Sequence, residues 1–257
     1  MLKKGQVTIF IILAIIIVAA ILVYFLWVRP TYNFQEGGQL NFEGCVEDVI
    51  KESVEKLGMQ GGFANPEFYY DYKTNSVAYL CYTNLYYRPC IRQVAFLSQK
   101  FEAELKKDTG AKIQSCYESS VRELRSKGFD VKDAEGNLEI DLSLGKINVL
   151  FSAPTSVSSD SGGSSFEDFD FSINSKIYRL LSIASSIVES EIHSGDGGIE
   201  ILRLTYYDLN LEIERQEGGS KIYSIEDETT KELFRFGIRS YAFPYGLGLN
   251  EEFESGY

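Results

Sequence analysis

The sequence predicts an α+β protein: an N-terminal transmembrane helix followed by an extracytoplasmic domain of helices and an antiparallel sheet. Residues 7–28 contain no charged residue, no Gly and no Pro. At about 1.5 Å per residue they span roughly 33 Å, which is enough to cross a hydrocarbon core of about 30 Å. Downstream, apolar residues recur first at helical spacing and then at alternate positions, so the strands cluster as hairpins rather than alternating with helices.

The apolar segment is predicted to remain as an anchor, because a secretory signal peptide has an apolar run of only about 7–15 residues. It ends in an aromatic cluster and Pro30, which are typical of a membrane interface and a helix stop. Lys3 and Lys4 precede it and Arg29 follows, so the N-terminus is expected in the cytoplasm and the domain outside the cell. The predicted organisation is a cytoplasmic stub and transmembrane helix (1–30), a tether (31–44), a mostly helical, disulfide-stabilised region (45–127), a strand-rich α+β region (128–245) and a tail (246–257).

The exposed part of the chain is strongly acidic. The whole chain carries a net charge of −12, with 37 acidic and 25 basic residues. Three of the basic residues, Lys3, Lys4 and Arg29, flank the anchor. An acidic surface repels phosphates, so we expect no nucleic-acid partner and no docking on an anionic membrane surface. The expected partners are the bilayer, through residues 7–28, and a protein or a second copy of this chain.

Four cysteines lie in one third of the chain, all beyond the anchor. In an oxidising compartment they permit three pairings. The preferred pairing is Cys45–Cys116, which would pin two helices together, and Cys81–Cys90, which would close a short loop containing Pro89. A zinc site is disfavoured, because no C-x-x-C occurs and the chain has one histidine.

The first half of the domain is predicted to contain three helices and two strands. A helix begins near Cys45 and ends at Gly58, and a second and a third are separated by a break or bend around Gly110. Between the first two helices, strands 68–73 and 76–82 are joined by a turn.

The second half is predicted to be mainly strands. Strands 129–133 and 138–142 flank a turn, strands 146–152 and 166–173 flank a Ser/Gly-rich loop at 154–165, and further strands cover 199–207, 209–215, 221–226 and 233–243. A fourth helix, from Ile177 to about Ile192, ends at Gly195.

Candidate catalytic and metal-binding residues are few. His193 has the only side chain that titrates near neutrality, but its position favours an interaction with the C-terminus of its own helix. Segment 133–139 spaces oxygen-bearing side chains as calcium loops do, yet its glycine is misplaced and a hairpin turn explains it better. No cofactor, no metal site and no enzymatic activity are therefore expected.

Tyrosine is the most unusual feature of local composition. Seven tyrosines fall between residues 69 and 87: Tyr69, Tyr70, Tyr72, Tyr79, Tyr82, Tyr86 and Tyr87. Tyrosine offers a large contact area with a polar tip and is favoured at recognition surfaces. Strands are also rich in tyrosine for ordinary packing reasons. A binding face and sheet packing thus remain two open interpretations.

The N-terminus, from Lys3 to Phe10, resembles the class III signal of archaeal type IV pilin-like proteins. That resemblance implies cleavage between Gly5 and Gln6, leaving Gln6 at the start of the hydrophobic helix. The family pattern has glutamate where this chain has Phe10.

The whole chain resembles a broad set of uncharacterised membrane-anchored proteins of small-genome archaea. The shared residues are segment 5–12, a helix containing Cys45, segment 57–62 and segment 87–90. This resemblance implies a surface location and no particular activity. We expect a membrane-anchored structural or interaction protein of the cell surface. The alternatives are a pilin-like filament subunit and, less favoured, an extracytoplasmic enzyme.

Overall fold

The computed structural model describes residues 14–18, 40–159 and 162–241. Residues 14–18 are helical. The rest of the predicted span 7–28, the Gly5-Gln6 motif, the predicted tether before residue 40 and the tail 246–257 lie outside the described residues. Within the described ranges, no helix is both long and apolar enough to cross a membrane.

The described domain is α+β, as the sequence predicts. Its helices are α1 (Glu43–Met59), α2 (Leu97–Ser126), α3 (Ile177–Ser194) and α4 (Ile199–Thr205). Its strands are β1 (Tyr69–Tyr72), β2 (Asn75–Tyr82), β3 (Ile91–Arg92), β4 (Asp130–Lys132), β5 (Asn137–Ser143), β6 (Lys146–Ser159), β7 (Gly162–Asn174), β8 (Leu209–Arg215), β9 (Ser220–Asp227) and β10 (Leu233–Arg239).

The larger sheet has six strands in the order β1-β2-β10-β9-β8, with β3 also paired to β2. Strands β2 and β10 run parallel, whereas the other pairs are antiparallel, so the sheet is mixed and not purely antiparallel as predicted. A parallel pair needs a long connection, and here the connection is the rest of the domain. Hairpin patterns in the sequence reveal only local pairings and could not have indicated this one.

The smaller sheet is organised around β6. Strand β7 pairs with one edge of β6 along nearly its whole length. On the opposite edge, β5 pairs with residues 146–152 of β6 and β4 pairs with residues 156–158. The prediction of a loop at 154–165 is therefore wrong, because residues 154–159 belong to β6 and residues 162–165 belong to β7. Thr155 and Val157 are buried, and their alternation with exposed neighbours is the strand pattern that the Ser/Gly-rich composition obscured. The predicted turn at 134–137 is also not a hairpin turn, since β4 and β5 each pair with β6.

Helix α2 packs against both sheets. The Phe101 ring lies 6.4 Å from that of Phe234 in the larger sheet, and the Tyr117 ring lies 5.4 Å from that of Phe151 in the smaller sheet. Two sequence predictions for the helices are wrong. The chain does not break near Gly110, because α2 is continuous. The predicted strand at 199–207 is the short helix α4, whose Ile199 is buried on its inner side.

Replacing Gly110 with alanine should stabilise the domain by about 0.5–1 kcal/mol, since glycine in a helix interior costs roughly this much relative to alanine. The added Cβ would meet nothing within 4 Å. Urea unfolding at constant m-value measures the change. Gly58→Ala is the contrast, because its Cβ would lie 2.2 Å from the Leu233 carbonyl oxygen, and this variant should destabilise. A neutral or destabilising Gly110→Ala would contradict the prediction.

Two disulfides join the predicted partners. Cys45 in α1 is linked to Cys116 in α2 with a Cα–Cα distance of 5.9 Å, and Cys81 is linked to Cys90 with a Cα–Cα distance of 5.4 Å. At the start of α1, the Phe42 ring is surrounded by four other rings, those of Tyr117, Phe151, Phe169 and Phe171, at 5.1–6.0 Å. The point where the chain enters the domain is thus fixed by packing and by a covalent link.

Candidate functional site

The two faces of the larger sheet have different surroundings. One face, with Leu80, Phe234 and Ile225, is buried in the main core. The opposite face carries a second, small cluster of buried side chains, Tyr72, Val77 and Ile222, with Tyr70 packed against it. This outer face therefore has its own apolar layer.

Charged groups surround the ring of Tyr72 on the outer face. The Tyr72 hydroxyl donates to Glu214, and the Lys73 ammonium lies 4.6 Å and the Arg235 guanidinium 5.1 Å from the centre of the Tyr72 ring. The Arg235 Nε also donates to the Ser224 hydroxyl at 3.0 Å. These contacts give Tyr72 a packing role, because its ring is buried between charged neighbours and its hydroxyl is hydrogen-bonded.

Gly237 leaves room for the ring of Tyr79, whose hydroxyl lies 2.7 Å from that of Ser220. A Cβ added at Gly237 would meet the Tyr79 ring at 3.0 Å. Gly237→Ala should therefore destabilise the domain by about 1–3 kcal/mol through overpacking. Denaturant unfolding measures the loss, and pairing the change with Tyr79→Ala should recover part of it. An unchanged stability would show that the Tyr79 ring has space to move.

Arg239 holds the beginning of the loop that the Cys81–Cys90 disulfide closes. Its guanidinium donates to the carbonyl oxygens of Gly218 (2.7 Å) and Thr83. It also lies 5.5 Å from the centre of the Tyr82 ring and 5.9 Å from that of Tyr86. Backbone hydrogen bonds link both ends of the loop to the end of β10 and the residues after it: Thr83 N donates to Arg239 O, and Tyr241 N donates to Arg88 O.

A group of large apolar side chains is nevertheless exposed in this region. Five of them fall within residues 84–96 and form what we call the loop surface: Leu85 (59% exposed), Tyr86 (45%), Tyr87 (56%), Ile91 (71%) and Phe96 (71%). Large apolar side chains gathered in one exposed segment are typical of interaction sites. Leu85, Tyr86 and Tyr87 lie within the disulfide-closed loop, Ile91 lies in β3, which pairs with β2, and Phe96 caps α2. Because all five belong to segments held in place in this way, they are presented without a large ordering cost.

The seven tyrosines predicted as a possible binding face are divided by the structure. Tyr72 and Tyr79 are buried, Tyr70 and Tyr82 are half-buried, and Tyr69, Tyr86 and Tyr87 are exposed. The sequence pattern did not single out Leu85, Ile91 or Phe96. The helical spacing of Ile91 with Val94 and Leu97 predicts that Ile91 lies on the buried face of the second helix. That prediction is wrong, because Ile91 belongs to the short strand β3, is exposed, and α2 begins only at Leu97.

The loop surface and the entry point of the chain lie at opposite ends of α2. The Ser120 hydroxyl near the end of α2 donates to the Asn41 carbonyl at 3.1 Å, whereas Phe96 immediately precedes the first residue of α2. The intervening 23 helical residues correspond to about 35 Å. Asn41 therefore lies about 35 Å along α2 from Phe96 of the loop surface.

A buried charged group lies close to the same loop and could not be predicted from the sequence. Glu191 is fully buried near the end of α3, and the Lys221 ammonium contacts both its carboxylate oxygens at 2.7 and 2.9 Å. The Tyr223 hydroxyl also donates to Glu191, and Lys221 donates to the Gly195 carbonyl at 2.6 Å. Burial raises the pKa of the Glu191 carboxyl above its usual range, although Lys221 acts in the opposite direction.

The Glu191 network joins the end of α3 to the loop. The Glu191 backbone carbonyl accepts a hydrogen bond from the Ser240 hydroxyl at 3.3 Å, and that hydroxyl in turn accepts one from Cys90 N at 3.2 Å. All of these polar groups therefore have partners within the fold, and the arrangement positions the loop.

The residues considered for catalysis or metal binding have ordinary structural roles. The His193 side chain is 71% exposed and its Nδ1 lies 2.9 Å from the Glu189 carbonyl, one turn earlier in the same helix. Asp133 is paired with Arg125 at 2.5 Å. Among the described residues, no group of three or more His, Cys, Asp or Glu side chains is arranged to hold a metal ion.

A cleft of about 610 Å³ lies between α1 and the turn that joins β9 to β10. Its floor includes the buried side chains of Ile50 and Val54, and its rim includes Lys51 and Lys231. Lys51 contacts Glu47 at 2.5 Å and Lys231 contacts Glu226 at 3.2 Å. Both lysine charges on the rim are thus paired with neighbouring glutamates.

No family model, curated protein or solved structure matches this chain.

Proposed function

We propose that this chain is a single-pass membrane-anchored module of the cell surface that binds a protein partner through the loop surface. The observation that carries the proposal is the set of exposed apolar side chains in the disulfide-closed loop and the segment after it. Tyrosine, other large apolar side chains and arginine recur at the centres of protein interfaces, and Arg88 and Arg92 lie within the same segment.

The location of the loop surface supports this proposal. It lies at the end of α2 remote from Asn41, so an anchor formed by residues 7–28 would leave it about 35 Å from the attachment point. With Lys3 and Lys4 in the cytoplasm, the domain and its loop surface face the exterior. Protease added to intact cells should then remove the domain; its protection would contradict the topology.

Binding is tested with a triple variant of the full chain, Leu85→Ser, Ile91→Ser and Phe96→Ser. Cross-linking on intact cells followed by gel electrophoresis should show a complex of higher mass for the natural chain and its loss for the variant. Ile201→Ser with Leu204→Ser is the matched control, since these residues are 72% and 87% exposed on α4. A complex that survives the triple variant, or is lost equally in the control, would overturn the proposal.

A pilin-like filament subunit is the second candidate, because residues 3–10 resemble a class III signal. The two candidates differ at Gly5-Gln6. An anchored module keeps residues 1–5 and is extracted by detergent, whereas a pilin would be recovered in sheared extracellular fibres beginning at Gln6. An amine buried among packed helices needs a neutralising partner, which Phe10 does not supply. We therefore place the anchored module first.

A further inference from the structure

The charge of the loop surface differs from that of the rest of the chain. The net charge is −12 overall, yet residues 72–101 contain no Asp or Glu and carry four basic residues: Lys73, Arg88, Arg92 and Lys100. Lys73 is paired with Glu214, Arg92 with Glu189 and Lys100 with Glu104. Arg88 is exposed, and no ion pair of its side chain falls within the described ranges. The loop surface is therefore apolar and aromatic, and Arg88 adds a positive charge to it that no described carboxylate neutralises.

The chain leaves the described domain beside this surface. Tyr241, the last described residue, donates its backbone N–H to the Arg88 carbonyl at 3.0 Å. The Tyr241 ring packs on the end of α3, where a Cβ at Gly195 would come within 2.3 Å of it. Ser240 is buried and bonded to both Cys90 and Glu191. The following residues must therefore start next to Arg88.

The residues that follow have the complementary chemistry. Segment 242–257 contains three glutamates, Glu251, Glu252 and Glu254, and no basic residue. It also contains large apolar side chains: Phe243, Tyr245, Leu247, Leu249, Phe253 and Tyr257. At about 3.3–3.6 Å per extended residue, the 13 residues up to Glu254 can reach at least 40 Å, farther than the loop surface requires.

We propose that residues 242–257 bind the loop surface of their own chain, with the apolar side chains on Leu85, Tyr86 and Ile91 and the glutamates near Arg88. Because the segment is covalently attached beside its target, its effective concentration there is high, and weak contacts suffice. This inference concerns the same surface as the proposed function. It makes the segment a competing occupant that a partner displaces.

The test uses the full chain in detergent with a photo-reactive phenylalanine analogue placed at Tyr86. Irradiation should join position 86 to a peptide within 242–257 of the same chain, identified by mass spectrometry. The matched control carries the probe at Tyr207, which is 88% exposed shortly after α4 ends, and should give no such product. Replacing the three glutamates with lysine should lower the yield several-fold, and so should 1 M salt, which shortens the screening length to about 3 Å.

Mixed samples of isotopically light and heavy chains decide between occupants. Products joining light to heavy chains would show that a second copy occupies the surface, and products with detergent alone would show that it is unoccupied; both overturn the inference. A glutamate-to-lysine variant with an unchanged yield would also overturn it. These outcomes are independent of the cross-linking on intact cells, because a chain can bind a partner through the loop surface whether or not residues 242–257 cover it.

Discussion

Replacing Lys221 with methionine should lower the free energy of unfolding by about 3–5 kcal/mol at neutral pH, because it leaves a buried carboxylate without its cationic partner. Glu191 has no exposed side-chain surface and Lys221 is 16% exposed. Methionine preserves the length and apolar stem of lysine, so the loss reports on the ammonium group. Equilibrium denaturation of the purified protein, compared at constant m-value, measures it.

The pH dependence of that loss gives a sharper test. The pKa of Glu191 is raised by burial, and removing Lys221 should raise it further. A carboxyl with a raised pKa in the folded state costs stability when it is ionised, and this cost is absent below the pKa of the unfolded chain. The destabilisation should therefore be largest at neutral pH and shrink as the pH falls towards the ordinary glutamate range.

A matched pair separates burial from mere loss of charge. Lys127 and Glu123 form an ion pair at 2.6 Å with side chains 56% and 63% exposed. Lys127→Met should change stability by less than about 1 kcal/mol, as exposed pairs do. Glu191→Gln combined with Lys221→Met should recover part of the loss by removing the ionisable group. Equal effects at Lys221 and Lys127 would contradict the burial argument.

Removing the Cys45–Cys116 disulfide with a double alanine variant should destabilise the domain by about 4 kcal/mol, whereas removing Cys81–Cys90 should cost about 2.5 kcal/mol. The estimates follow from the entropy of closing the two loops in the unfolded chain. The sequence separations are 71 and 9 residues. Calorimetry or denaturant unfolding of the two double variants tests the order.

Reduction of the natural protein provides an independent control. Cys45 is exposed whereas Cys81 and Cys90 are buried, so a mild reductant should open the longer loop first. The destabilisation that follows should match that of the Cys45/Cys116 variant. If the shorter loop proves the larger stabiliser, the entropy argument fails and strain or packing at Cys81 decides instead.

The local elements could be predicted where the sequence pattern is set by a single buried face. The sequence predicts a helix from Ile177 to about Ile192 that Gly195 terminates, and α3 runs from Ile177 to Ser194 with Gly195 as its cap at φ of +71°. Such positions follow from helical periodicity and from glycine's tolerance of positive φ. The hairpin of β1 and β2 was readable for the same reason, because its turn signal and alternation are local.

The errors lie where distant residues override local preference. Gly110 suggested a break, but the buried side chains of Leu105 and Ile113 on either side hold α2 together across it. The Ser/Gly composition of 154–165 suggested a loop, yet Thr155 is buried and its hydroxyl lies 2.6 Å from that of Tyr117 in α2. Neither contact has a counterpart in local sequence.

The candidate site could be predicted only in part from the sequence. Tyrosine enrichment indicated the correct part of the chain, but it could not separate Tyr72, enclosed by charged neighbours, from Tyr86, which is exposed. Tertiary contacts distinguish the two residues. Tyr72 is covered by Glu214 and Arg235 from distant strands, whereas Tyr86 stays exposed although the pairing of β2 with β10 brings Arg239 beside it. The Glu191–Lys221 pair could not be predicted from the sequence either, because 30 residues separate its members and only the tertiary structure brings them together.

The covalent link between α1 and α2 also determines how mechanical force passes through the molecule. A pull on an anchor attached before Leu40 would reach Cys45 within a few residues and continue directly into Cys116, bypassing the residues between them. With the disulfide closed, the 71-residue separation stays hidden from extension, a contour length of about 250 Å. In single-molecule stretching between the two termini, that length should appear only after reduction. The disulfide therefore shields the residues between Cys45 and Cys116, which include most of α1 and all of β1 and β2, from a force applied to the chain before Leu40.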